Sequence, residues 1–302
     1  PILIATNGLF QPVSFDQLAT MVVLWLGLRV LTEPGPGPGS VKNWVALGVA
    51  AGVGLETKYT LAVVLVALVA CVVVWRRDLL RGRGFWLALA IAAALVLPNL
   101  VWQARHDWIS VRFFVNPPES ATDESRPEFV LNLLLLSGLV TVPVWIAGIR
   151  RLVRDRALRP LGWAIVVVVA AYFVLGGKSY YALPVVLFAL AAGARSLAEW
   201  ASTRGLRVFF AGYALFLLLL LPIGLPVLPR KTAIDLGLMD ARSDYADEHG
   251  WPELARTVAR HARGADVVIV ANYGEAGALR LYGRRLPPVA SGHVTFRYWR
   301  PD

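Results

Sequence analysis

Eight apolar stretches divide this chain, at residues 18–31, 44–55, 61–75, 85–103, 129–149, 161–177, 181–194 and 208–228, and the gaps between them alternate in charge. Gaps after odd-numbered stretches, with the last turn of the first, carry Arg29, Lys42, Arg76, Arg77, Arg81, Arg83, Arg150, Arg151, Arg154, Arg156, Arg159, Arg195, Arg204 and Arg207. The opposite gaps carry only Lys58, Arg105, Arg112, Arg126 and Lys178. Basic loops resist translocation, so the first set is expected on the cytoplasmic side and the second outside. Crossing a hydrocarbon layer of about 30 Å takes roughly 20 helical residues, and a backbone in lipid must satisfy its own hydrogen bonds. The pattern predicts an all-α polytopic membrane protein with about eight transmembrane helices.

The stretches at 85–103, 129–149 and 208–228 reach spanning length directly. Those at 44–55 and 61–75 are short and flank the tip 54–60; those at 161–177 and 181–194 meet at 178–181. Both pairs read as hairpins whose tips approach the outer side. Pro98, Pro143, Pro184 and Pro222 fall in or at the ends of helices, which membrane surroundings tolerate. The Pro-Gly repeat at 33–40 cannot be helical and reads as a cytoplasmic connector, while 104–128 is the longest outer loop. After Pro229 the chain turns polar. A helix over 253–262, a buried strand over 266–271 and a helix over 274–282 predict a small C-terminal α/β extracytoplasmic domain. The expected domains are therefore 1–229, helical and in the membrane, and 230–302.

The net charge of +10 invites a nucleic-acid reading, but its distribution argues against one. The inner gaps balance 14 basic residues against 4 acidic, the outer segments before residue 230 hold 5 against 7, and the tail holds 11 against 9. The excess lies where anionic headgroups would meet it, so membrane lipids and not nucleic acid are the expected partners. A hydrophobic fraction of 57% exceeds ordinary soluble usage. Cys71, the single cysteine, lies in an apolar stretch and leaves no intramolecular disulfide. Only 4 of the 30 basic residues are lysine, the usage of a GC-rich bacterial genome, so the bacterial plasma membrane is the expected location. The chain opens at Pro1 without methionine or a charged leader, and is expected to be an internal piece lacking its N-terminal part.

Polar residues gather at the outer ends of the stretches: Asp16, Glu56, Lys58, His106, Asp107, Lys178, Tyr180 and Tyr181. Such a boundary suits a substrate with its phosphate at headgroup depth and its tail in lipid. Each residue also has a plainer explanation. Asp16 could cap the helix that follows. Lys58 could snorkel and pair with Glu56, or capture phosphate as a hydrated point charge. Lys178, Tyr180 and Tyr181 could form an aromatic belt, or supply several donors to an oxyanion. His106 could be an ordinary loop histidine, or a ligand or base.

Gly54-Leu-Glu-Thr-Lys-Tyr-Thr60, Pro98-Asn-Leu-Val-Trp-Gln-Ala-Arg-His106 and Gly177-Lys-Ser-Tyr-Tyr-Ala-Leu-Pro184 resemble bacterial glycosyltransferase family 39, of the GT-C type. That family is related to protein O-mannosyltransferases and lipid A aminoarabinose transferases. Gly250-Trp-Pro-Glu-Leu254, Tyr273-Gly-Glu-Ala276 and Tyr282 resemble the extracytoplasmic tail of its bacterial members. The resemblance implies a hexosyl- or pentosyltransferase that moves a sugar from a polyprenyl-phosphate donor to a glycan, lipid or protein acceptor on the extracytoplasmic face. It implies that Asp16 matches a second outer-face aspartate, the first standing upstream of Pro1, and makes Asp16 the catalytic candidate kept here. Lys58 matches the lysine of the Thr-Lys string, and Lys178 and Tyr181 match a motif associated with the lipid phosphate. His106 matches an outer-loop histidine of variable role.

The chemistry follows from such a donor. Its anomeric carbon bears a good leaving group once the departing phosphate is stabilised, by Lys58, Lys178 and the phenol of Tyr180 or Tyr181. A carboxylate would orient or deprotonate the acceptor hydroxyl. No nucleotide-binding Gly-rich loop or zinc spacing is present, so no cofactor is expected; His106 with Asp107 is insufficient for a metal site, and participation of a divalent metal stays open. The rivals are a secondary transporter or lipid flippase, a surface-glycan polymerase or ligase, and a non-catalytic anchor for the tail. A transporter predicts repeated halves and ionisable groups at midplane, which the stretches lack.

Overall fold

The computed structural model describes residues 6–8, 11–33, 40–115, 124–242, 247 and 249–299, apart from the side chains of Phe114 and Ala241. Most of the expected connector at 33–40 and the stretch 116–123 of the outer loop lie outside these residues. The chain forms two compact units, Pro1–Leu100 with Thr122–Val227, and Val101–Ala121 with Leu228–Asp302.

The helices in order are α1 Pro12–Thr32, α2 Val41–Thr57, α3 Thr60–Trp75, the short α4 Arg77–Arg81, α5 Arg83–Arg105, α6 Ile109–Val115 and α7 Arg126–Ser137. A 3-10 turn at Leu139–Thr141 leads to α8 Val142–Arg154, α9 Arg159–Leu175, α10 Ser179–Trp200 and α11 Thr203–Gly224. Local chemistry sets the boundaries. The Ser40 hydroxyl accepts from the Lys42 amide at 3.2 Å to open α2, and the Glu33 carboxylate bridges back to the Ser40 amide and the Asn43 side chain. Ser125 and Glu128 form a reciprocal capping box at α7. Gly176, at φ 77°, closes α9 in a left-handed turn.

The helices α1, α5, α10 and α11 are long and apolar enough to cross a membrane, and α7 with α8 makes a fifth if the bent pair is one span. Among the described residues, length and composition thus qualify four or five helices where the sequence led to about eight; α3 and α9 are apolar but only 16 and 17 residues long. The stretch at 129–149 is not one straight helix. It bends by 86° between α7 and α8. Gly138, at φ 91°, ends α7, and Pro143 restarts helix at a position where its missing N–H costs nothing. Apolar residues on both sides hide this break from any hydropathy reading.

The first unit packs α1, α3, α9 and α10 about a core of Leu24, Leu61, Leu161, Ile165, Val168 and Leu183. Small residues permit the closest approaches. A Cβ on Gly148 of α8 would collide with the Ala189 carbonyl of α10, and one on Gly193 with the Val144 carbonyl, so these two backbones touch directly. No residue of α11 is buried, and Val208, Phe210, Leu215, Leu218 and Leu219 are exposed. Such an apolar surface needs a non-aqueous surrounding.

In the second unit, α12 Arg230–Asp235 and α13 Leu238–Ala241 precede α14 Trp251–His261, β1 Val268–Val270, α15 Tyr273–Tyr282 and β2 Val289–Ser291. The strands pair in parallel with Val268 opposite Val289, and a 3-10 helix at Val294–Trp299 follows. Pro252 stands in the first turn of α14, and Asn272 caps α15 by accepting from the Glu275 amide at 2.9 Å. The helices and strand lie close to the expected ranges, but the strand over 266–271 is shorter and is not buried. Ile269 is 77% exposed, because a two-stranded sheet covered by helices on one face leaves alternate residues outside. The small core is Ala255, Ala276, Leu279 and Val289.

Candidate functional site

Antiparallel packing brings the start of α1, the α2–α3 tip, the last turn of α9 and the start of α10 to one end of the first unit. Asp16 lies in the second turn of α1 and is 3% exposed. It is inside the helix, so it is no N-cap. Its Oδ1 accepts from the Thr60 hydroxyl at 2.9 Å, at the first residue of α3. The Thr60 carbonyl in turn accepts from the Tyr172 phenol of α9 at 3.0 Å. Tyr172 packs on Tyr181 with ring centroids 5.6 Å apart, and Tyr181 meets Tyr180 edge-on at 4.6 Å.

Lys58 closes the assembly. Its Nζ stands 4.5 Å from the centre of the Tyr181 ring and 5.0 Å from that of Tyr180, within range for attraction to both ring faces. Both Asp16 and Lys178 act on it electrostatically, one as counter-charge and the other as a like charge. Glu56 does not serve as its partner in the way a snorkelling pair would; it accepts from Asn99 at 2.9 Å, and Asn99 accepts from the Tyr59 phenol at 3.3 Å. One ammonium group on two tyrosine rings, a second near enough to act on it and a buried carboxylate as counter-charge make a set of charged donors chemically suited to an oxyanion. Among the described residues, no group of three or more His, Cys, Asp or Glu could hold a metal ion.

Glu124 was not singled out from sequence, yet it fixes this corner. Its two oxygens accept from the Ser179 amide at 2.9 Å and the Ser179 hydroxyl at 3.1 Å, and Ser179 is fully buried. Glu124, two residues before α7, thereby caps α10 next to Lys178. Tyr172 was also missed; its one signal is a phenol within the apolar run 164–175.

His106 belongs to the second unit. Its ring stacks on Trp102 with centroids 4.1 Å apart and meets Tyr298 edge-on at 5.0 Å. Five of the six expected site residues lie in the first unit, at one end of it: Asp16, Lys58, Lys178, Tyr180 and Tyr181. The same unit holds an apolar groove of about 990 Å³, whose walls include Phe15, Leu18 and Met21 of α1, Leu187 and Leu190 of α10, and Phe210 of α11; none of the five residues lines it, although Phe15 and Gln17 flank Asp16 in the chain.

Residues 1–102 match the family model of dolichyl-phosphate-mannose-protein mannosyltransferase. The match bears out the resemblance to glycosyltransferase family 39 and indicates a multi-pass glycosyltransferase of the GT-C type. Asp16, Lys58 and Thr60 fall inside the matched third of the chain; Tyr172, Lys178, Tyr180 and Tyr181 fall outside it. Neither a curated protein nor a solved structure matches the chain. The family implies in general a lipid-linked sugar donor and a glycan or protein acceptor.

Proposed function

We propose that the chain takes a sugar from a polyprenyl-phosphate donor and passes it to an acceptor hydroxyl on the extracytoplasmic face of the bacterial plasma membrane. The observation that carries this reading is the seat of Lys58 on the Tyr180–Tyr181 pair at one bundle end, with Lys178 near enough to act on it. There the donor phosphate is gripped by two ammonium groups and a phenol, and its tail lies along the apolar groove. The bond between the anomeric carbon and the phosphate oxygen breaks, the phosphate leaves with the electron pair, and the acceptor oxygen attacks that carbon. Its proton passes to Asp16, whose Oδ1 accepts from the Thr60 hydroxyl. Stabilising the leaving phosphate in a site shielded from water contributes most of the acceleration.

In this reading the short helices α2, α3 and α9 also cross the membrane, completing eight passages, and the second unit's tail lies outside the cell. The alternating loop charge supports that sidedness. Washed membranes containing the protein should transfer label from a radiolabelled polyprenyl-phosphate sugar; a transporter or a passive anchor would transfer none. Impermeant thiol reagents applied outside should label cysteines placed at positions 58 and 178 and spare those at 77 and 151. The reverse pattern would invert the topology.

A further inference from the structure

The turn after α5 is built more tightly than a connecting loop requires. Asp107 and Trp108 both adopt left-handed backbone, at φ 58° and 52°, a conformation that costs free energy for residues with a Cβ. Three bonds hold the turn there. The Trp108 amide donates to the Gln103 carbonyl at 2.8 Å, the Gln103 side chain donates to the Ser110 hydroxyl at 2.6 Å, and the Ser110 amide donates back to Gln103 Oε1 at 3.3 Å. The result presents His106, Asp107 and Trp108 together.

The chain's end completes the corner from almost two hundred residues away. The Tyr298 phenol donates to the His106 carbonyl at 3.3 Å, and its ring meets Trp102 and His106 edge-on at 6.0 and 5.0 Å. Arg297 donates to the Tyr298 oxygen at 2.7 Å and reaches Asp107 at 3.9 Å. His106 Nδ1 lies 2.7 Å from the Trp102 carbonyl, which can only accept, so Nδ1 carries the proton and Nε2 of the neutral ring is left as an acceptor. The cluster therefore offers two acceptors, Asp107 and His106 Nε2, one forked donor, Arg297, and aromatic surface. Trp108 and Tyr298 are 46% and 42% exposed. The Asp107 and Arg297 charges offset each other, which disfavours a phosphate or a bare cation.

Hydroxyls that both donate and accept, set on an apolar ring face, are the ligand chemistry complementary to this surface. We propose that the 106–108 corner, with Arg297 and Tyr298, is a binding site for a neutral saccharide. The proposal concerns the second unit alone and holds whether or not the transfer reading does.

The test uses the full chain in phosphatidylcholine nanodiscs, free of sugar-based detergent. Saturation-transfer NMR is run with the methyl glycosides of mannose, galactose, glucose and arabinose. At least one should receive magnetisation on its ring C–H protons with an affinity near millimolar, and Asp107→Asn or Trp108→Ala should weaken it at least about tenfold. Asp107→Asn keeps the side-chain shape, and an unchanged thermal transition for that variant separates lost binding from lost folding. No transfer to any of the four glycosides overturns the proposal, leaving the rings as an aromatic belt at the membrane edge. So does equal binding by wild type and the correctly folded Asp107→Asn variant.

Discussion

The two ends of the helical bundle both carry charge, and they hold it in opposite ways. At the end rich in arginine, the closest pairs are local and all of them reach solvent, with one longer contact between helices. Arg76 meets Asp78 two residues on at 3.0 Å, and Glu199 is shared by Arg195, one turn away, and Arg151. Arg195 remains 73% exposed, and exposed pairs of this kind contribute little stability. At the other end a carboxylate is buried, its hydrogen bond crosses from α1 to α3, and the lysine facing it rests on rings from α10. Simple charge retention needs only the first arrangement. Holding charge in a shielded, cross-linked setting costs desolvation and implies a ligand or a reaction that uses it.

Five substitutions put this contrast at risk. Gly148→Leu should have the largest effect, because no relaxation short of parting α8 from α10 accommodates the side chain. The bundle should fail to assemble, seen as loss of a monodisperse peak in size-exclusion chromatography. Asp16→Ala removes the Thr60 bond and the counter-charge of Lys58 together; it should lower stability by about 1–3 kcal/mol and abolish transfer, read by thermal melting and by the membrane assay. Glu124→Gln keeps the shape but weakens the cap on α10. It should raise the KM for donor several-fold through a misplaced Lys178, with little change in melting temperature. Tyr172→Phe forfeits one neutral hydrogen bond, about 1 kcal/mol. Glu199→Ala at the arginine-rich end should change stability by less than about 1 kcal/mol and leave transfer intact.

Much of the helical order was legible because membrane helices announce themselves by composition, and the alternate loops by charge. The break at Gly138 was not, since Leu136 and Val140 look alike to a hydropathy window; only the Gly138 and Pro143 pair hinted at a stop and a restart. Asp16, Lys58, Lys178, Tyr180 and Tyr181 stand out in the sequence because polar residues at the edge of apolar stretches are conspicuous. Their cross-links were hidden, because Thr60, Tyr172 and Glu124 act through partners 44, 112 and 55 residues distant. His106 shared the same sequence signal, a polar residue beside an apolar stretch. That signal reports depth along a helix and carries no information on which neighbours the ring will meet, and Tyr298 is 192 residues away.

The contrast between the ends is tested most directly by the rate of sugar transfer from radiolabelled polyprenyl phosphate in washed membranes. Lys58→Ala and Lys178→Ala are compared there with Arg76→Ala and Arg195→Ala at equal protein levels. The lysine variants should each lose about 100- to 1000-fold, the scale of removing one group that stabilises developing negative charge. The arginine variants should stay within about twofold of wild type, as exposed pairs would. Lysine variants that transfer as fast as the arginine variants would contradict the assignment of the reacting end.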